Sequence, residues 1–156
     1  MQKIMPCLWF DKQAEDAAKY YVSIFKNSKI THISHYGDAG PGPKGSVMVV
    51  IFQLNGEDFM GLNGGPAFQF SEAISLVARC DSQAEIDMYW EKLSGGGSKG
   101  VCGWLKDKYG LSWQVVPAQI GELLSGGPAK SDRVMAAVMK MTKLDLAAMQ
   151  RAYNEG

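Results

Sequence analysis

Histidine and cysteine are scarce in this chain: His32 and His35 are the only histidines, and Cys7, Cys80 and Cys102 the only cysteines, among 156 residues. Three cysteines are an odd number, form no CxxC pair and fall in or beside apolar runs of strand length. That argues against a disulfide framework and leaves reduced, packed thiols as the expectation. His32 and His35 stand three apart on one strand-like run, and strict alternation would send them to opposite faces, one to solvent and one to the core. They are not expected to share an ion. Excess charge is also missing, since 16 basic and 16 acidic residues cancel and no basic block exceeds two residues. No nucleic-acid partner is expected, nor attraction to an anionic membrane surface. No apolar stretch approaches membrane-spanning length, and the opening MQKIMPCLWF is too short an apolar run for a secretory signal. A soluble, cytoplasmic protein with no membrane partner is expected. The segment SGGGSKG lacks the spacing of a phosphate-binding loop, because Lys99 is followed by Gly100, and it reads as a flexible connector.

What the chain does contain is a repeat. DKQAE at Asp11 to Glu15 returns as DSQAE at Asp81 to Glu85. Each copy follows an apolar run of strand length, IMPCLWF and AISLVARC, and opens a helical pattern with an aromatic at the same offset, Tyr20 and Trp90. An Asp suits a helix cap and a Glu four positions later suits the positive end of the helix dipole, so these four carboxylates read as helix-start chemistry rather than as an acid/base pair.

The order of elements can be followed from there. A helix is expected over about residues 12–25, with Ala14, Ala17, Ala18, Tyr21, Val22 and Phe25 on one face, then a strand over 30–36. The breaker-rich GDAGPGPKG, from Gly37 to Gly45, reads as a mobile loop that could cover a pocket. Strands over 46–54 and 57–63 flank Asn55-Gly56, the commonest hairpin turn. The second copy repeats this order with shortened middle strands: a strand from Ala73, a helix over 82–93, a strand around 101–105 and a last strand LSWQVV. Helices follow Pro117, with Ser131 and Asp145 as expected caps. They carry Met135, Met139, Met141 and Met149, which suit core gaps or a subunit interface. With 46% apolar residues, residues 1–156 can form one domain around a shared core. Its parts would be a first module over 3–64, a second over 72–117 and a helical extension over 118–156.

A duplicated strand-helix-three-strand unit resembles the vicinal oxygen chelate superfamily, which includes glyoxalase, bleomycin-resistance and extradiol dioxygenase proteins. Closer still, PCLWFDKQAEDAAKYY, NGGPAFQFSEAISLV, DSQAEIDMYWEKLS, CGWLKDKYGLSWQVVP and RVMAAVMKMTKLDLAAM are similar to the PhnB-like subfamily, from Pro6 to about Met149. The resemblance implies an α+β fold of two βαβββ modules forming a cupped mixed sheet, plus C-terminal helices; because bare modules would leave sheet edges and an apolar face uncovered, a homodimer is expected. Members often carry the label 3-demethylubiquinone-9 3-methyltransferase-like. A nucleotide-type cofactor would ordinarily need a glycine-rich turn after the first strand, and FDKQAED has no glycine.

In metal-dependent relatives an ion is held by His, Gln or Glu from the first and fourth strands of each module. The matching positions here are Met5, Met60, Ser75 and Gln114, of which only Gln114 is even a moderate ligand. No metal and no cofactor are therefore expected. Trp9, Phe59, Trp104 and Trp113, with Asn63, Ser75 and Gln114 as orienting polar groups, are the candidate lining for a small apolar or aromatic ligand, weighed against simple core packing. Cys102, beside Lys106, Asp107 and Lys108 in sequence, is weighed as a nucleophile, and His32 or His35 as a proton shuttle. The expected function is metal-independent binding of a small apolar or aromatic molecule, with a glyoxalase-like or methyltransferase-like enzyme of unknown substrate as the alternative. No catalytic residue can be assigned.

Overall fold

A computed structural model describes residues 1–155. The chain divides into two compact units, the first Met1–Phe70 and the second from Ser71 onward. In the first unit the order is β1 (Cys7–Phe10), α1 (Ala14–Ile24), β2 (Lys29–His35), β3 (Val47–Leu54) and β4 (Glu57–Asn63). In the second it is β5 (Ser75–Cys80), α2 (Gln83–Ser94), β6 (Ser98–Lys99), β7 (Trp104–Lys106) and β8 (Ser112–Pro117). Each unit carries one four-stranded mixed sheet, ordered β1-β4-β3-β2 and β5-β8-β7-β6. In both, the first strand runs parallel to the fourth and the remaining pairs are antiparallel. The α+β fold of two βαβββ modules with added C-terminal helices is thus present.

Alternation and register explain the first sheet. Val50, Phe52 and Leu54 are buried on one side of β3, and their β4 partners are Gly61, Phe59 and Glu57. α1 lies on this side. Tyr21 stacks on Phe52, with ring centroids 6.2 Å apart, and a Cβ on Gly61 would stand 3.2 Å from the Cβ of Ala14. Burying a side chain as large as Tyr21 or Phe52 contributes roughly 1.5–3 kcal/mol. The other side, carrying Trp9, Val47, Val49, Ile51, Met60 and Leu62, is half-buried. The β3–β4 hairpin turns at Asn55 and Gly56, with φ of 52° and 84°, the two positive values this turn demands.

The histidines depart from expectation. β2 carries two register shifts, between Ile30 and His32 and between Ser34 and His35. Each irregularity resets the alternation. His32 therefore pairs with Ile51 and His35 with Val47, so both lie on the same face, and both are exposed. Their partners are four residues apart on β3, roughly 13 Å at strand rise, which still keeps them from sharing one ion.

The two helix starts also differ from expectation, and from each other. α1 begins at Ala14 after Gln13, which makes no side-chain cap. Its first amide is capped from afar, by Asn63 Oδ1 accepting from Ala14 N at 2.9 Å. In the second copy the cap is Ser82, accepting from Glu85 N at 3.2 Å, while Glu85 Oε2 accepts from Asp81 N at 2.8 Å. Neither Asp11 nor Asp81 caps its helix. A reciprocal pair one residue further on does this in one copy, and a side chain from β4 in the other.

The C-terminal helices are α3 (Ile120–Leu123), α4 (Pro128–Val138) and α5 (Leu146–Asn154). Ser131 lies inside α4, which begins at Pro128 behind Gly127 at φ 97°. Proline at the first helical position lacks only an amide that would have been unpaired. Asp145 caps α5 as expected, accepting from Ala148 N at 3.0 Å. These helices belong to the second unit and share a core cluster with its last strand through Val116, Leu123, Val134, Val138, Leu144 and Met149. Gln83 ties them to α2, donating to Leu144 O at 3.0 Å and accepting from Leu146 N at 2.8 Å. Of the four methionines, Met149 is fully buried, whereas Met135 and Met139 are exposed.

Candidate functional site

In the first unit, a cavity of about 460 Å³ opens at the start of α1. Its lining comes from the start of α1 (Asp11, Lys12, Glu15 and Asp16), from the loop residues Pro41, Gly42 and Pro43, and from Tyr36, Val47 and Asn63. The glycine- and proline-rich loop expected to cover a pocket does wall this one. It is shaped for the task, because a Cβ on Gly40 or Gly42 would stand 2.6 or 2.3 Å from the Tyr36 ring. Tyr36 is itself fixed, its hydroxyl donating to Asn63 O at 2.5 Å.

Asn63 is the only sequence-selected candidate on this cavity. Its side chain is engaged at both ends, accepting from Ala14 N and donating through Nδ2 to Val47 O at 3.1 Å. Trp9 stands on the open face of the first sheet. Its Nε1 donates to Gly65 O at 2.9 Å, its ring meets Phe68 edge-on at 4.9 Å, and it presses so closely on Gly64 that a Cβ there would clash. Phe59 stands on the helix-covered side, stacked on Phe52 at 5.6 Å.

In the second unit, register places Trp104, Ser75, Ser112 and Gln114 on one face. Gln114 Nε2 donates to Ser75 Oγ at 3.0 Å, and Ser112 Oγ is buried without a hydrogen-bond partner. Trp113 belongs to the opposite, buried face, with Leu105 and Val115. Its Nε1 donates to Asp107 Oδ2 at 2.9 Å, and Asp107 also accepts from Tyr109 N and Leu111 N, at 2.8 and 3.1 Å. The surroundings of Phe59 and Trp113 are those of core residues; Trp9, Trp104, Ser75 and Gln114 occupy faces where a ligand could rest.

The thiols have no catalytic setting. Burial pushes Cys80 up to about 12, aided by Glu85 and Asp81, and burial raises Cys7 as well. Cys102, at φ 58°, has its sulfur 3.9 Å from the Met139 thioether rather than beside a base. Among the described residues, no three His, Cys, Asp or Glu side chains converge in a way that could hold a metal ion. The paired positions of first and fourth strands on the open face are Cys7 with Met60 and Trp9 with Leu62. In the second unit they are Ser75 with Ser112 and Val77 with Gln114. These offer no carboxylate or imidazole.

The family model described as 3-demethylubiquinone-9 3-methyltransferase matches residues 2–116. The chain belongs to that family. A solved structure of the PhnB protein from Bacillus cereus is 39% identical, covers 75% of this chain and 100% of its own, and superposes with a TM-score of 0.69. This is the PhnB-like resemblance read in the sequence. Two further structures share the fold. One, from Pseudomonas aeruginosa, is 22% identical, covers 75% of this chain and 98% of its own, and has a TM-score of 0.62. The other, a fosfomycin resistance protein from Listeria monocytogenes, is 14% identical, covers 78% and 97%, and has a TM-score of 0.53. No curated protein matches this chain. The helices beyond β8 lie outside the family match.

The family's description implies S-adenosylmethionine, and the residues present do not fit its usual doubly wound site. The turn between β1 and α1 holds no glycine. Two of its amides are already taken, Lys12 N by Gln13 Oε1 at 3.1 Å and Ala14 N by Asn63. A mixed sheet ordered β1-β4-β3-β2 has no crevice between two parallel halves in which a nucleotide would sit. The cavity was not legible in the sequence because its residues, such as Asp16, Tyr36 and Asn63, converge from three separate segments. Only the glycines spaced to approach Tyr36 left a trace. Among the described residues, no helix is long and apolar enough to cross a membrane.

Proposed function

We propose that this member of the 3-demethylubiquinone-9 3-methyltransferase family is a metal-independent binding protein, acting in the cytoplasm as a homodimer, for a small apolar or aromatic molecule. The ligand rests on the open face of the first sheet. The observation that carries this reading is the composition of that face. Trp9, Val49, Ile51, Met60 and Leu62 are half-buried, and α1 covers only the opposite side. A half-buried apolar surface with an indole at its edge gains affinity by excluding water, with orientation left to a few polar groups. The absence of carboxylate or imidazole at the paired strand positions supports binding over chelate chemistry.

The test is an amide-resolved NMR titration with indole as probe. Shifts are expected at Trp9, Val49, Ile51 and Leu62, and they should be abolished by Ile51→Asp, which leaves the helix-covered core untouched. Shifts confined to other residues, or binding unchanged in Ile51→Asp, would overturn the proposal. Saturable binding of S-adenosylmethionine would favour the enzyme reading instead.

A further inference from the structure

We propose that Cys102 and Met139 form a binding site for a soft monovalent cation of the Cu(I) class. The site lies in the second unit and stands independently of the ligand proposed for the first sheet.

Two separate elements bring the sulfurs together. Cys102 stands in the turn before β7, in the left-handed region at φ 58°, and Met139 ends α4. The turn is clipped to the chain just past that helix. Cys102 N donates to Met141 O at 2.9 Å, and Gly103 N to Thr142 O at 2.8 Å. Cys102 Sγ and Met139 Sδ are thereby held 3.9 Å apart. An ion about 2.3 Å from each, the usual metal–thiolate length, would join sulfurs at that spacing with an angle of about 115°. This is close to trigonal coordination, so neither side chain has to move far.

Burial does not account for the pairing. Met139 is 66% exposed and Met135 42%, whereas Met149 fills the core at 0%. A thioether left in water gains little from packing. The amide of Met139 still bonds Met135 O at 2.9 Å, so helical spacing puts Met135 on the same flank of α4, where it can supply a third sulfur. Cys102 is only half-buried, which leaves the pair open to an ion from solvent.

The donor set selects the ion. Thiolate and thioether sulfurs favour Cu(I), while magnesium, calcium and manganese want oxygen. A zinc site of the usual kind is not offered, since no three His, Cys, Asp or Glu side chains converge among the described residues. Binding replaces the S–H bond of Cys102 by an S–metal bond and releases the proton to solvent. The single charge of the thiolate then matches that of a monovalent ion. The C-terminal end of α4 adds a partial charge of about −0.5, which also favours a cation. Cys7 provides an internal comparison, because its register partner on β4 is Met60.

Silver(I), a redox-stable probe of the same class, tests this by NMR of the methionine methyl groups, with reduced protein in chloride-free buffer. Silver is expected to shift the Met139 methyl saturably, with Met135 following and Met149 unchanged. Cys102→Ser should abolish the Met139 shift, and zinc(II) should not produce it. Met139→Leu, at a solvent-facing position, should weaken silver binding read at the Gly103 amide by at least about tenfold, the lower end of what losing even an outer partner of a metal costs. Should Cys102→Ser unfold, Met139→Leu carries the test alone. Silver shifting Met60 but not Met139, an equal response to zinc, or a Gly103 titration indifferent to Met139→Leu would each overturn the proposal.

Discussion

Asn63, the last residue of β4, holds the first amide of α1 at Ala14, 49 residues earlier in the chain. The same amide side chain donates to Val47 O on β3. One residue thereby fixes the angle at which helix and sheet meet beside the cavity. Asn63→Ala leaves both partners without their bonds, and a loss of about 2 kcal/mol in urea unfolding is expected. Asn63→Asp keeps the acceptor and loses the donor, so it should fall between wild type and alanine. A variant as stable as wild type would remove Asn63 from this role.

Asp107 predicts a larger effect. It is 2% exposed and accepts from two backbone amides and the Trp113 indole. Asp107→Ala strands three donors, those of Leu111 and Trp113 buried and that of Tyr109 partly so, which by the usual cost of an unmade bond amounts to about 3 kcal/mol or more. Trp113→Phe removes one of the three and should cost less. Thermal unfolding of the two variants side by side checks the order.

Acid should loosen the attachment of the C-terminal helices. Asp87 on α2 meets Lys143 at 2.8 Å, and hydrogen bonds from Lys143 and then Gln83 hold its carboxyl below the ordinary value of 3.8. A depressed carboxylate contributes stability that is present above its unfolded pKa and lost as pH falls through the folded one. Asp87→Asn should therefore be slightly less stable than wild type at neutral pH, by a few tenths of a kcal/mol for so exposed a pair. The difference should shrink as pH falls below 3.8 and through the lowered folded pKa. A gap that persists undiminished in acid would contradict this origin.

Cys80 is fully buried and its thiol is pushed up to about 12. Alkylation by iodoacetamide at neutral pH should spare it in the folded protein and reach it only with denaturant. Peptide mapping after a timed pulse separates it from Cys7 and Cys102.

Most of the architecture was legible because duplication wrote it twice. The apolar runs before DKQAE and DSQAE became β1 and β5, and Asn55-Gly56 turned where its residue types require. What escaped was non-local. Alternation put His32 and His35 on opposite faces, and the irregularity between Ser34 and His35 returned them to the same one. Asp11 looked like a cap because nothing near it reveals that Asn63 performs that task. Phe59 and Trp113 met the same limit, since an aromatic on a strand declares its periodicity but not which side a helix will cover. Ser131 yielded to a Gly-Pro start three residues earlier, where backbone geometry outweighs side-chain capping.

In each unit the first strand finds its partner only in the fourth, as Cys7 does opposite Met60 and Ser75 opposite Ser112. Such closure spans most of the unit and must wait until the intervening chain is collected, so refolding should be limited by that late zippering, with the Asn55-Gly56 hairpin as an early seed. Slowing this seed, for instance by Gly56→Val, should retard refolding more than it accelerates unfolding.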